Sequence, residues 1–354
     1  MFQLSNLLKN SIGWLDSSGQ LSDFVLSSRV RLARNLANGR FPPAAGAKEL
    51  RLVIDHAFRV ARKTKELSKA AYVRLEDLDK VDQHFLVERH LVSADLLHRP
   101  QSSAVIIGDR ELLSVMVNEE DHLRIQTLVP GLDLRGALET AAGLDRALGA
   151  ELPYAFHNEF GYLTSCPTNV GTGLRASCLV HLPGLVQSQA IAPVFQELSR
   201  VGLVVRGFYG EGSQVYGDLF QISNATSIGK SEGELTQTIE NILKNVIAHE
   251  AQMREKLLKG AARVKTTDRI WRAYAKLAYS RLISYEETMQ ELSLLRMGLA
   301  ARFDIDHVSM AKVNELIILT QPAHIQMQAG REIRAQERDE RRAALIRQGI
   351  VGRM

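Results

Sequence analysis

The chain has 354 residues, 45% hydrophobic and 24% charged, with 9 prolines. These ordinary globular proportions exclude a disordered or collagen-like chain, and the length suits two domains. Forty-four basic against 40 acidic side chains leave a formal charge of +4, spread along the chain, which argues against direct nucleic-acid binding, where basic charge is concentrated.

Two cysteines, Cys166 and Cys178, cannot build a disulfide framework, lack zinc-finger spacing and fit a reducing compartment. The N-terminus is broken by Asn6, Lys9 and Asn10, so it holds no clean signal-peptide core, and no run approaches 18 uncharged apolar residues. A cytoplasmic chain without a membrane span is expected.

In chain order, Ser27, Ser28, Arg29, Val30 and Arg31 alternate so that the two arginines share one face of an extended segment. Residues 104–107 and 112–117 are predicted strands around a Gly108–Asp109 turn. The second runs into Asn118, Glu119, Glu120, Asp121, His122, Leu123 and Arg124. Three consecutive carboxylates repel one another unless a cation is present. Gly171, Thr172 and Gly173 precede Arg175, and their backbone N–H groups are expected to be open to an anion. Residues 203–205 and 219–222 form another predicted strand pair, joined by a loop with four glycines that Arg206 opens.

The periodicity then changes. Leu235, Ile239, Ile242, Leu243 and Val246 recur at helical spacing behind a capping box of Ser231 and Glu234. From about residue 256 the chain reads as helical, and it is arginine-rich from Arg331. This predicts an α+β domain over 1–255 and a smaller helical domain over 256–354.

Two phosphate-loop motifs are rejected. Gly229, Lys230 and Ser231 end like a Walker A loop, but its first glycine position holds Asn224. Gly171 to Ala176 fits a loose dinucleotide fingerprint, but no buried strand precedes it. Arginines for phosphate oxygens, clustered carboxylates and no P-loop together describe phosphoryl transfer on a non-Walker fold.

At these residues the sequence resembles the phosphagen (guanidino) kinases. The Ser27 to Arg31 segment, the Asn118 to Arg124 segment and Cys166, Pro167, Thr168, Asn169, Val170, Gly171, Thr172, Gly173 are similar to three hallmark segments, in the family's order. The resemblance covers roughly residues 20–255. It implies an antiparallel sheet flanked by helices, and phosphotransfer from ATP to a guanidino group with Mg²⁺. The small-molecule kinases carry about a hundred helical residues before the first segment. Only 26 residues precede Ser27 here, which is expected to leave the guanidinium site open to a protein side chain. The segment Arg338, Asp339, Glu340, Arg341, Arg342, Ala343 matches the RDxxRA pattern of the bacterial protein arginine kinases, and 161–166 and 206–212 also resemble that branch.

The resemblance implies roles. Arg29, Arg31, Arg124, Arg175 and Arg206 match phosphate-binding arginines. Nucleotide contacts are expected from Ser27 to Arg31, from His90, from Arg175, Ala176, Ser177, Cys178 and Leu179, and from Arg206, Gly207, Phe208, Tyr209, Gly210 and Glu211. Leu179 stands where animal members place an adenine-contacting histidine, which makes His90 a candidate contact. Glu120 and Glu211 match carboxylates that orient the guanidinium and take its proton, and Cys166 the active-site cysteine. Glu119 and Asp121 are assigned to Mg²⁺ through water. Arg338, Asp339, Arg342 and Ala343 are expected to form an allosteric phosphoarginine pocket. Further implied are a role in stress response and protein degradation, an McsA-type activator, the ClpC–ClpP protease, the CtsR repressor and a homodimer or higher oligomer. A kinase of free arginine is the alternative, and a catalytically dead adaptor is disfavoured because the arginines, Glu120, Glu211 and Cys166 are all present.

Overall fold

A computed structural model describes residues 4–208, 215–305 and 307–352. Its centre is an antiparallel sheet of eight strands: β1 (Val25–Arg34), β2 (Ala71–Arg74), β3 (Ala104–Ile107), β4 (Leu113–Val117), β5 (Leu123–Pro130), β8 (Leu174–His181), β9 (Leu203–Arg206) and β10 (Leu219–Asn224). The order across the sheet is β2-β3-β4-β5-β1-β8-β10-β9. The short strands β6 (Phe156–His157) and β7 (Gly161–Tyr162) pair separately as a hairpin. Both predicted strand pairs, β3 with β4 and β9 with β10, form antiparallel ladders.

Side chains alternate across a pleated sheet, and here the two faces differ in chemistry. Val30, Leu32, Ala176, Cys178, Val180 and Ile222 face a large apolar core. That core is closed by α1 (Ala47–Lys63), α3 (Leu134–Gly149) and α6 (Glu232–Leu257), together with the shorter α4 (Pro183–Gln187) and α5 (Ile191–Arg200). Ser231 caps α6 with the reciprocal bonds of a capping box: Glu234 N–H to Ser231 Oγ at 3.3 Å and Ser231 N–H to Glu234 Oε2 at 2.8 Å. That placement removes Ser231 from any phosphate loop.

The opposite face is covered only at its margins. On one side α2 (Lys80–Glu88) and α10 (Pro322–Ala329) pack over Val105, Ile107 and Met116. On the other, α7 (Ala262–Tyr279), α8 (Tyr285–Ala300), α9 (Met310–Leu319) and α11 (Ala335–Ile350) form a bundle. Ile12, Trp14 and Leu15 join its core, with Leu26, Leu128, Leu179 and Phe208 from the sheet side. The bundle is bolted on by polar contacts as well. Arg254 of α6 and Arg296 of α8 both donate to the Asp23 carbonyl, at 3.0 and 3.1 Å. Between the two margins the middle of the sheet is bare, and a cleft remains there. Among the described residues no helix is long and apolar enough to cross a membrane.

Candidate active site

The antiparallel register decides which side chains meet in the cleft. Arg29 of β1 stands opposite Ser177 of β8, and Arg31 opposite both Arg175 of β8 and Gln126 of β5. Arg124 is two residues before Gln126 on β5, hence on the same face. Ser177 faces Ser223 of β10, and Arg206, the last residue of β9, faces Gln221. Period-two alternation therefore aims five arginines from four strands into one space of about 760 Å³, which Glu119, Glu120 and Cys166 also line.

Cations crowded in this way resist one another. Burial, followed by repulsion from Arg175, Arg124 and Arg206, pushes the Arg29 guanidinium down to about 9. Arg31 is lowered well below the arginine range by burial first and then by Arg29, Arg124 and Arg175. Arg124 goes the other way. Burial acts against its charge, but Glu119, Glu120 and Asp121 outweigh it and hold the proton more tightly. Its two ends ion-pair with Glu119 at 2.5 Å and Glu120 at 3.0 Å. The cation that relieves the acidic turn is thus supplied by the chain itself.

The same alternation corrects part of the expected nucleotide set. Ser28, Val30, Ala176 and Cys178 point to the other face. Ser28 Oγ donates to the Gly131 carbonyl at 2.8 Å and lies 3.4 Å from Cys178 Sγ. Val30, Ala176 and Cys178 are wholly buried in the core, where burial pushes the Cys178 thiol up to about 12. None of these side chains reaches the cleft. Within the glycine turn the Gly171 N–H is not open to an anion, because it is bonded to the Tyr162 carbonyl at 3.3 Å. Gly173 serves instead to bring β8 close to β1: its φ is +66°, and a Cβ there would lie 2.5 Å from the Ala33 carbonyl oxygen.

A small recess adjoins the arginines, lined by Ser27, Leu179, Phe208, His90 and Trp14. The rings of Trp14 and Phe208 meet that of His90 edge-on at 5.4 and 4.9 Å. Burial, then Arg29 and Arg31, lowers His90 to about 3, so it is a neutral ring. Trp14 was not anticipated, since nothing in its local sequence marks it. Tyr209, Gly210 and Glu211 lie outside the described residues.

Cys166 is half-buried on the cleft wall, its Sγ 3.1 Å from Thr168 Oγ1. Glu119 also accepts from Ser93 Oγ, another contact that sequence did not suggest. Asp121 departs from expectation. It is 1% exposed, does not line the cleft, and accepts from Asn35 and the Ser165 N–H instead. Glu119 and Glu120 carry hard oxygens that suit Mg²⁺, but both are engaged by Arg124, which leaves contact through water. Among the described residues no cluster of three or more His, Cys, Asp or Glu could hold a metal by itself.

Comparison with known proteins fits this geometry. The ATP:guanido phosphotransferase C-terminal catalytic domain matches residues 52–253, and the protein-arginine kinase McsB C-terminal domain matches residues 263–352. The protein-arginine kinase of Halalkalibacterium halodurans is 44% identical over 335 residues, 94% of each chain. That of Symbiobacterium thermophilum is 45% identical over 337 residues, 94% of this chain and 95% of its own. The duplicated taurocyamine kinase from Schistosoma mansoni, solved with transition-state analogue components, superposes with a TM-score of 0.59 at 25% identity. The match covers 71% of this chain and 35% of that one. The chain belongs to the ATP:guanido phosphotransferase family, on its protein-arginine kinase branch.

As in the sequence-derived expectation for a protein-arginine kinase, the fold is an antiparallel sheet flanked by helices with a helical C-terminal part. The Arg338 to Ala343 segment lies on α11. Of the four expected contact residues only Arg338 and Asp339 are available to a ligand. Arg338 and Asp339 are partly exposed, and Arg338 donates one bond to the Ile333 carbonyl at 3.1 Å. Arg342 is 2% exposed and donates to the carbonyls of Thr320 (2.7 Å) and Ile283 (3.0 Å) and to Asp339. Ala343 packs in the bundle core. The expected phosphoryl contact from Arg342 and the space at Ala343 are therefore corrected: these two hold the helix in place.

Proposed function

We propose that this chain transfers the γ-phosphoryl group of ATP to arginine side chains of proteins. The observation that supports this most strongly is the convergence of Arg29, Arg31, Arg124, Arg175 and Arg206 beside Glu120 and Cys166. A triphosphate supplies the negative charge that the crowded guanidinium groups lack, and their planar forks suit paired phosphate oxygens. Mg²⁺, when bound with the nucleotide, would neutralise phosphate charge, with Glu119 reaching it through water.

An acceptor arginine enters as a guanidinium, fully protonated at neutral pH and a poor nucleophile. Glu120 is half exposed to the cleft and takes the proton from the attacking nitrogen. The N–P bond forms, the bond from Pγ to the bridging oxygen of ADP breaks, and ADP leaves with the electron pair. The arginines hold the charge that builds on the transferring group. Cys166 orients the acceptor's far side, and Glu211 provides a second carboxylate. In this reading residues 1–255 carry the chemistry. Residues 256–354 carry a phosphoarginine contact at Arg338 and Asp339. A cytoplasmic setting, a role in marking proteins for degradation and partners of the McsA, ClpC–ClpP and CtsR kinds follow from the same resemblance.

The test incubates the chain with ATP, Mg²⁺ and an arginine-bearing protein, with free arginine in parallel. Acid-labile phosphate on protein arginine, found by mass spectrometry, is expected. Saturable transfer to free arginine with none to protein would overturn the proposal in favour of a small-molecule kinase.

A further inference from the structure

Asp121 follows Glu120 in the chain, yet its side chain turns away from the cleft. Its Oδ1 accepts from Asn35 Nδ2 at 2.6 Å and from the backbone N–H of Ser165 at 2.7 Å. Ser165 is the residue before Cys166. Asn35 directly follows β1. Its Oδ1 accepts the His122 N–H at 2.9 Å, and its Nδ2 also donates to the Leu163 carbonyl at 3.2 Å. The next N–H, that of Leu36, donates to His122 Nδ1 at 3.1 Å. One buried carboxylate oxygen thus joins three segments that carry chemistry: the strand bearing Arg29 and Arg31, the turn bearing Glu120, and the approach to Cys166.

We infer that Asp121 is a positioning residue that fixes Cys166 relative to Glu120 and takes no part in holding the metal. The inference rests on the proposed function only in that Cys166 and Glu120 face one acceptor. Hydrogen bonds to a carboxylate are strong and directional, and both donors here come from segments with no other carboxylate contact to the turn among the described residues. Without Asp121 the Ser165 N–H loses its acceptor, and the segment up to Cys166 keeps only the longer, indirect tie to the turn through Asn35 and the Leu163 carbonyl. Displacements of about 1 Å can cost about 10²-fold in rate. The metal assignment predicts something different, because there the charge of Asp121 matters and the position of Cys166 does not.

The test compares Asp121→Ala, Asp121→Asn and Asn35→Ala in the full chain. It measures the rate of Cys166 alkylation by iodoacetamide, the Mg²⁺ concentration for half-maximal activity, and kcat and KM separately. Cys178 is wholly buried, so alkylation of the folded protein reads Cys166 alone. Asparagine keeps an oxygen acceptor for both N–H donors but removes the charge. In Asp121→Ala the alkylation rate should change at least about fivefold and kcat fall about 10–100-fold, with the Mg²⁺ midpoint unmoved. Asp121→Asn should restore the wild-type alkylation rate and most of kcat. Unchanged alkylation in Asp121→Ala would overturn the inference, as would a Mg²⁺ midpoint displaced more than about threefold in Asp121→Asn. Should Asp121→Ala fail to fold, Asp121→Ser keeps a polar side chain too short to reach the Ser165 N–H, and an unchanged alkylation rate there overturns the inference equally; Asn35→Ala, which leaves the Ser165 bond in place, should change alkylation less than either. Alkylation needs no acceptor, so its result stands even where protein phosphorylation is not found.

Discussion

Arg31 and Arg175 are direct cross-strand partners in the β1–β8 ladder, both on the cleft face. Like charges directly opposite in a sheet are destabilising, by about 0.2–1 kcal/mol for exposed pairs, and burial of Arg31 adds to that. The phosphates of a nucleotide are expected to relieve this repulsion.

The first prediction follows. ATP at about 100 times its Kd should stabilise the protein by about 2.7 kcal/mol, a rise of several degrees in melting temperature. Arg175→Gln should leave the nucleotide-free melting temperature equal or higher and remove most of that rise. Thermal scans with and without ATP decide it. The same nucleotide-induced shift in both proteins would mean that Arg175 is not part of the phosphate site.

Charge alone should not suffice. Arg175→Lys and Arg206→Lys keep a cation but lose the fork that can hold two oxygens. Each should lose about tenfold or more in kcat/KM, one or more good charge-assisted hydrogen bonds at the transition state. Near-normal steady-state kinetics in both lysine variants would rule out a clamping role.

In the proposed mechanism Glu120 acts on the acceptor and not on the nucleotide. Glu120→Ala should therefore lower turnover about 10²–10⁴-fold while ATP affinity, measured by calorimetry, stays within a few fold. A variant retaining more than about a tenth of wild-type turnover is incompatible with Glu120 as the base.

His90 should leave a mark on the pH dependence of stability. Its imidazole binds a proton near pH 6.5 when unfolded and only near pH 3 when folded. Between those values the unfolded state holds more protons, so stability falls as pH falls, by up to about 1.4 kcal/mol per pH unit from this group. Asparagine tolerates the left-handed backbone of His90, whose φ is +59°. In His90→Asn the melting temperature should therefore fall less steeply than wild type between pH 6.5 and pH 5. Parallel curves would show that His90 is not held neutral by its surroundings.

Much of this site was legible because strands write their faces in alternate residues. Arg29 and Arg31 announce a shared face, and Ser231 with Glu234 announces a helix start, from fewer than six residues each. Ser28 and Cys178 stand between cleft residues, so period two sends them to the core. Asp121 was not readable, since its partners Asn35 and Ser165 are 86 and 44 residues away. From sequence it is one more acid in a row of acids. Trp14 reaches the recess only because the helical bundle packs the N-terminal segment against β1 and β5.

The corrected reading of α11 separates two neighbouring arginines. Ala343, Ile346 and Ile350 form its buried stripe, and Arg342 lies at the edge of that stripe with its guanidinium bonded to two carbonyls and Asp339. Arg338 is one turn earlier, on the side that solvent reaches. Arg342→Ala should then act through stability. It strands the Thr320 and Ile283 carbonyls and leaves Asp339 without its partner, a loss of about 2–6 kcal/mol at about 1–3 kcal/mol for each of the two buried carbonyls. Arg338→Ala breaks a single partly exposed bond and should change stability by less than about 1 kcal/mol. If phosphoarginine docks at Arg338 and Asp339, Arg338→Ala should abolish its binding while basal phosphotransfer survives. Urea unfolding and calorimetric titration with phosphoarginine, run on both variants, give the two readouts independently. Equal phosphoarginine affinity in wild type and Arg338→Ala would leave this end of α11 an ordinary surface, and a fully stable Arg342→Ala would show that its buried bonds hold nothing in place.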